Sequence, residues 1–136
     1  MYCCFVDFKK AYDRVPRDKL WLKLKNIGVY GWMLDALMTL YADVPVCIKT
    51  AAGYSSFFSS YIGLKQGCPL RPTLFGIYID DLQRWLMERI PQSMWPSIGG
   101  FLLPALLYAD DLVLLAVSVE GLQQQLNELA AYSSLW

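Results

Sequence analysis

The most constraining feature of the sequence is a pair of acidic residues in the middle of its most apolar stretch. Residues 98–119 are long enough to cross a bilayer, but Asp110 and Asp111 interrupt them. Each Asp would cost roughly 2.5–3.5 kcal/mol at the centre of a membrane helix, and Pro104 adds a further penalty. A membrane span is therefore disfavoured, and we expect no membrane partner. Because Asp tolerates turn geometry, the apolar runs on either side predict two strands joined by a hairpin turn.

Composition narrows the function classes. With 136 residues, 56% of them hydrophobic and 18% charged, the chain is one domain or a piece of one and is not intrinsically disordered. It contains no histidine, which excludes Ser-His-Asp, Cys-His and other histidine-based catalysis. The four cysteines lack zinc-site spacing and do not resemble a secreted disulfide framework. We interpret them as reduced thiols of an intracellular protein, located in the cytoplasm, the nucleus or both.

Hydrophobic periodicity and turn residues predict an α+β fold. Helices and paired strands alternate without a regular βαβ rhythm, which argues against a doubly wound sheet. Ser118 is a candidate N-cap for a final helix, and Asp80 and Asp81 are expected to be solvated on a long helix. The predicted elements are a strand at 2–8, helices at 17–27, 31–42 and 73–89, paired strands at 44–50 and 54–59, a loop at 63–72, and the hairpin of residues 101–117.

Three carboxylates stand at the ends of apolar runs: Asp7, Asp110 and Asp111. If the strand ending at Asp7 pairs beside the hairpin, the neighbouring strands lie about 4.8 Å apart. Carboxylates on adjacent strand ends could then share two divalent cations about 3.5–4 Å apart, as in two-metal phosphoryl transfer. The alternative is structural: Asp7 ends a strand, and Asp110 and Asp111 form an ordinary turn.

Two further segments admit both a functional and a structural interpretation. The loop at 63–72 combines glycines with prolines before a helix, which suits a close approach to a nucleotide but also suits a plain strand-to-helix connection. Seven of the 12 basic residues fall within residues 9–25, although the net charge of the chain is zero. This basic segment could be a solvated helix face, or it could bind nucleic acid or a partner.

Three segments, in this order, resemble successive signatures of the reverse transcriptase palm. They are Phe5–Val15 (FVDFKKAYDRV), Gly63–Phe75 (GLKQGCPLRPTLF) and Leu107–Leu112 (LYADDL). The QGCPL form is similar to the non-LTR (LINE-type) retrotransposon and group II intron branch. The match covers nearly the whole chain, which would be a single incomplete palm domain over residues 1–136 without fingers or thumb. The expected architecture is a small antiparallel sheet that carries the acids and packs against helices.

The resemblance implies a role for each matching residue. Asp7, Asp110 and Asp111 would be catalytic and, with the carbonyl of Phe8, would hold two Mg²⁺ ions, for which Mn²⁺ could substitute. Residues that would line the nucleotide are Lys10, Ala11, Tyr12, Gln66 and Gly67, with Tyr12 as the aromatic gate against a ribose 2′-hydroxyl. Tyr108 would contact the primer end.

These assignments imply RNA-directed DNA polymerisation, with an RNA template, a DNA primer and dNTPs as partners. The fingers and thumb would come from the remainder of a longer polyprotein, so we expect little or no polymerisation by this chain alone. Arg71 stands where this branch usually has a small Ser. The alternative is a catalytically silent retroelement remnant that binds nucleic acid or a partner through the basic segment.

Overall fold

The computed structural model describes all 136 residues, Met1 to Trp136. The mixed α+β prediction is confirmed, since helices alternate with small antiparallel sheets. The elements in chain order are β1 (Tyr2–Asp7), a 3-10 helix (Ala11–Arg14), α1 (Arg17–Asn26), α2 (Gly31–Ala42), β2 (Pro45–Val46), β3 (Lys49–Thr50), β4 (Gly53–Tyr54), β5 (Phe58–Ser59), α3 (Arg71–Ile79), α4 (Leu82–Arg89), a 3-10 helix (Gln92–Met94), β6 (Ser97–Ile98), β7 (Phe101–Leu102), β8 (Ala105–Tyr108), β9 (Asp111–Ala116) and α5 (Val119–Leu135).

The chain divides into two compact units. The first comprises Met1–Ala11 and Ile79–Trp136, and the second comprises Tyr12–Tyr78.

The first unit is built on a three-stranded antiparallel sheet in the order β1-β9-β8. The central strand, β9, alternates its side chains, so that Leu112, Leu114 and Ala116 are buried on one face. Helix α5 packs against β9, β1 and α4. On the opposite face, Phe5 is paired in register with Val113 and is 79% exposed. The face of Leu112 and Leu114 is therefore covered, whereas the opposite face, on which Leu115 is also buried, is open around Phe5.

Polar side chains join α5 to its neighbours. Gln125 is fully buried, and its Nε2 donates to the carbonyl oxygen of Leu115 at 2.7 Å. Ser118 caps α5 as predicted, because its Oγ accepts from the N–H of Gly121 at 3.1 Å.

No helix of the chain combines the length and the apolar character that a membrane crossing requires.

The single helix predicted for residues 73–89 is wrong, because the chain forms two helices there. Helix α3 ends at Ile79 and α4 begins at Leu82, with Asp80 and Asp81 in the turn between them. Aspartate is a poor residue for a helix interior because its short side chain hydrogen-bonds nearby backbone in other conformations. Asp81 is also not simply solvated: its carboxylate accepts from the Tyr132 hydroxyl at 2.6 Å.

The second unit packs α1 against α2 and adds two short two-stranded ladders. Leu20 and Leu24 of α1 are buried, as are Leu34 and Tyr41 of α2. The predicted pairing of residues 44–50 with 54–59 is present, but it is interrupted: β3 pairs with β4 and β2 pairs with β5. This unit also contains the glycine- and proline-rich loop and the helix that follows it.

Candidate active site

Strand pairing in the first unit brings the three predicted carboxylates to one end of the sheet. Asp7, the last residue of β1, lies directly opposite Asp111, the first residue of β9. Asp110 precedes Asp111 and occupies the turn that joins β8 to β9. The predicted pairing of the strand that ends at Asp7 with the hairpin is therefore confirmed. Like charges directly opposite each other destabilise a strand pair, so this arrangement has an energetic cost.

The turn that carries Asp110 contains backbone strain. It has two residues, Ala109 and Asp110, between the paired residues Tyr108 and Asp111. Ala109 has a φ of 52°, in the left-handed region that costs an L-residue roughly 1–2 kcal/mol. A two-residue hairpin with positive φ at its first turn position normally has glycine there.

A second strained turn follows Asp7. The N–H of Ala11 donates to the carbonyl oxygen of Phe8 at 3.1 Å, which closes a turn over residues 8–11. Lys10, in this turn, has a φ of 54°. Lys10 and Ala109 are the two non-glycine residues of the chain with positive φ, and each lies within three residues of a predicted metal ligand. Such strain is concentrated at functional sites in proteins.

We expect an Ala109→Gly variant to be more stable than the wild type by about 0.5–1 kcal/mol. Removing the Cβ relieves the left-handed strain, and the extra backbone entropy of glycine in the unfolded chain offsets part of the gain. Urea unfolding would measure the change. Ala105→Gly, in the adjacent strand, is the matched control and should destabilise; equal losses in both variants would contradict the strained turn.

The three carboxylates do not form a ready-made ligand set. Nowhere in the chain do three or more His, Cys, Asp or Glu side chains converge on a position for a metal ion. Asp7 and Asp111 are exposed, so a change of rotamer at either residue requires no repacking. The backbone thus brings the donors to one sheet end, while the side chains do not close around a common point.

The open face of the sheet beside these acids carries apolar side chains. Tyr108 is paired in register with Asp111 and is 84% exposed. Phe5 and Leu106 lie further along the same face and are also exposed. The predicted primer-contact residue is therefore accessible at the same sheet end as Asp7 and Asp111.

The remaining predicted site residues belong to the second unit. Gln66 and Gly67 are exposed in the loop that precedes α3. Two hydrogen bonds fix the start of this loop: the N–H of Leu64 donates to Tyr12 at 2.8 Å, and the N–H of Gly63 donates to Val15 at 2.9 Å. Tyr12 and the loop are thus joined through their backbones.

Arg17 holds the same loop from the interior, a role that no pattern in the sequence indicates. Its guanidinium is buried and donates to four carbonyl oxygens, at distances of 2.7–3.3 Å. The acceptors are those of Tyr41, Ser60, Ile62 and Gly63. Burial lowers the pKa of Arg17, and the neighbouring Tyr41 opposes this effect. No carboxylate pairs with this charge, so the backbone dipoles of the loop solvate it.

The Tyr41 side chain lies on the inner side of the loop. It is 2% exposed, and the Arg17 guanidinium lies 5.2 Å from the centre of its ring. Burial raises the pKa of Tyr41, with smaller effects from the neighbouring Lys65 backbone and Cys68. Arg17 and Tyr41 together support residues 60–68 from the protein interior.

The burial of Arg17 changes the interpretation of the basic segment. Lys23 is buried as well, and its Nζ donates to the carbonyl oxygen of Tyr78 at 2.6 Å. Two of the seven clustered basic residues therefore contribute to the interior of the second unit. Neither a wholly solvated helix face nor a seven-charge nucleic-acid surface describes this segment.

Comparison with known proteins identifies the family. A family model described as reverse transcriptase (RNA-dependent DNA polymerase) matches residues 1–136, the whole chain. The chain belongs to the reverse transcriptase family. The family assignment made from the three motifs is thereby confirmed.

Curated relatives place this reverse transcriptase chain among retrotransposon proteins. A Pol polyprotein from the type-1 retrotransposable element R2 of Nasonia vitripennis is 30% identical over 96% of this chain. The corresponding protein of the type-2 element R2DM of Drosophila melanogaster is 29% identical over 98% of it. A probable RNA-directed DNA polymerase from transposon BS of Drosophila melanogaster is 30% identical over 99% of it. The predicted non-LTR branch agrees with these relatives. The chain spans 12% of the length of each of the two R2 proteins.

Proposed function

We propose that residues 1–136 form part of the palm of a non-LTR reverse transcriptase, where nucleotides are added to a primer 3′-hydroxyl. The observation that carries this proposal is the pairing of β1 with β9. It brings Asp7 opposite Asp111, with Asp110 in the adjoining turn. The two strained turns beside these acids support a functional site over an ordinary hairpin.

The chemistry of the donors fits hard divalent cations. Carboxylate and carbonyl oxygens are the ligands that Mg²⁺ prefers, and clustered carboxylates without basic partners repel one another until a cation neutralises them. We infer that Asp7, Asp110 and Asp111, with the Phe8 carbonyl, hold two Mg²⁺ ions, with Mn²⁺ as a substitute. Bound there, the ions would activate the primer hydroxyl and stabilise charge on the α-phosphate and the leaving pyrophosphate.

The other residues of the matching motifs would have roles in binding and selection. In the turn at 8–11, the backbone N–H groups of Lys10 and Ala11 would meet the triphosphate. The Ala11 N–H donates to the Phe8 carbonyl oxygen in this structure, so it would have to exchange that bond for one to a phosphate oxygen. Tyr12 would lie under the sugar and exclude a 2′-hydroxyl. Tyr108 would contact the primer end from the open face of the sheet.

The exposed loop residues Gln66 and Gly67 would lie along the incoming nucleotide and the template. A loop with this role has to keep one conformation, and the backbone hydrogen bonds and the Arg17 guanidinium supply that rigidity. The reactants would be an RNA template, a DNA primer and dNTPs. We propose that the chain acts within a longer polypeptide, as its much longer relatives suggest.

Primer extension tests this function. A longer polypeptide that contains residues 1–136 should extend a DNA primer on an RNA template in a Mg²⁺-dependent reaction. Asp110→Ala should lower the rate by a factor on the order of 10³ or more, because it removes a metal ligand. Asp80→Ala, at an exposed acid in the α3–α4 turn, is the matched control and should leave the rate unchanged. Extension that survives Asp110→Ala would overturn the proposal.

A further inference from the structure

The side chain of Arg71 contacts two consecutive residues of the 3-10 helix at Ala11–Arg14. Its Nη2 forms an ion pair with Oδ1 of Asp13 at 2.8 Å. The carbon at the centre of the same guanidinium lies 4.8 Å from the centre of the Tyr12 ring. A single planar group thus contacts the ring of one residue and the carboxylate of the next.

The Tyr12 ring has a second contact on α3. Its centre lies 4.5 Å from that of Phe75, which is buried. Arg71 and Phe75 are four residues apart and so lie on the same side of the helix. The Tyr12 backbone is also held, by the N–H of Leu64. These contacts restrict both the backbone and the ring of Tyr12.

We propose that Arg71 is a positioning residue that fixes the orientation of Tyr12 and thereby increases selection of deoxyribonucleotides over ribonucleotides. The inference rests on the proposed function, in which Tyr12 lies under the sugar. A ring excludes a hydroxyl group only if it cannot move aside, and a packed, ion-paired neighbour restricts that motion. The planar guanidinium can stack on a ring and pair with a carboxylate at once, which a serine in this position cannot do.

The test compares equilibrium binding of dATP and ATP in the presence of Mg²⁺, measured by NMR titration of the full chain. The measured quantity is the ratio of the two dissociation constants. A variant that is partly unfolded loses affinity for both nucleotides by the same factor, so the ratio reports the site and not the stability. Arg71→Ser should reduce the preference for dATP by about two- to fivefold, the size expected from losing one cation–π contact.

Two further variants complete the design. Tyr12→Ala should abolish the preference, and Arg84→Ser, at an exposed arginine on α4, should leave it at the wild-type value. An unchanged ratio in Arg71→Ser together with a lost preference in Tyr12→Ala would overturn the role of Arg71 alone. An unchanged ratio in Tyr12→Ala would overturn the gate role of Tyr12 and the inference with it. Absence of nucleotide binding in the wild type, or binding that survives Asp7→Asn/Asp110→Asn, would overturn the proposed function as well.

Discussion

An Arg17→Met variant is expected to lose about 3–5 kcal/mol of its free energy of unfolding. Methionine has a similar length and keeps the apolar packing of the side chain, but it has no donor. Four carbonyl oxygens, those of Tyr41, Ser60, Ile62 and Gly63, then lose the guanidinium. A buried acceptor without a donor costs about 1–3 kcal/mol, and two of these four are only partly buried, so water can reach them.

Urea unfolding of the wild type, Arg17→Met and Arg14→Met measures this loss. Arg14 is exposed in the preceding 3-10 helix, so its replacement should change stability by no more than about 0.5 kcal/mol. Amide exchange should also show faster exchange at Gly63 and Leu64 in Arg17→Met, because their hydrogen bonds depend on the fixed loop. Equal stabilities for the two variants would mean that Arg17 does not hold the loop.

Gly63→Ala should be destabilising by at least about 3 kcal/mol, from backbone strain and steric overlap together. Gly63 has a φ of 82°, and an added Cβ would lie 2.8 Å from the carbonyl carbon and 2.9 Å from the Cα of Asp13, and closer still to its oxygen. All three atoms belong to the backbone, which two hydrogen bonds hold in place next to the loop. Relief of the overlap would require Gly63 or Asp13 to shift, and the hydrogen bonds of Gly63 to Val15 and of Leu64 to Tyr12 oppose that shift.

Gly67→Ala separates the two contributions to this loss. Gly67 has a nearly identical φ of 79°, but a Cβ added there would meet open space. Its replacement should therefore cost only the conformational part, about 1–2 kcal/mol. The difference between the two variants measures the close approach of Gly63 to Asp13. If Gly63→Ala and Gly67→Ala lose the same free energy of unfolding, the Asp13 backbone does not lie in close contact with Gly63.

Local patterns in the sequence predicted several elements of the fold correctly, but the first strand of the predicted hairpin at 101–117 is wrong, because it is divided into β7, which pairs with β6, and β8, which pairs with β9. Apolar spacing bounded by Gly28 predicted α1, and the limits of α2 were predicted without error. The acid pair Asp110 and Asp111 predicted a hairpin turn, and the apolar run before Asp7 predicted its strand. These elements depend on residues that are close together in the sequence. Hydrophobic periodicity and the preferences of turn residues are therefore enough to predict them.

Long-range interactions could not be predicted in the same way. The charge pattern predicts a surface position for Arg17 and Lys23, because burial of a basic residue depends on carbonyl groups far away in the sequence. The fully buried Gln125 is a similar case, since its acceptors are Leu115 and Pro104. The break at Asp80 and Asp81 was missed because the apolar spacing on both sides suits one continuous helix. The signal for the break is the pair of consecutive aspartates, because aspartate is unfavourable inside a helix.

The roles of Asp7, Asp110 and Asp111 are tested most directly by calorimetric titration of this chain with Mg²⁺ and Mn²⁺. We expect weak binding, with a dissociation constant on the order of 1 mM, because two or three carboxylates bind these cations with modest affinity when no phosphate is present. Asp7→Asn/Asp110→Asn should abolish the binding. Asp35→Asn/Asp80→Asn, which removes the same charge at exposed acids elsewhere, should retain it. Equal binding by the wild type and both double variants would contradict a metal centre at the paired ends of β1 and β9.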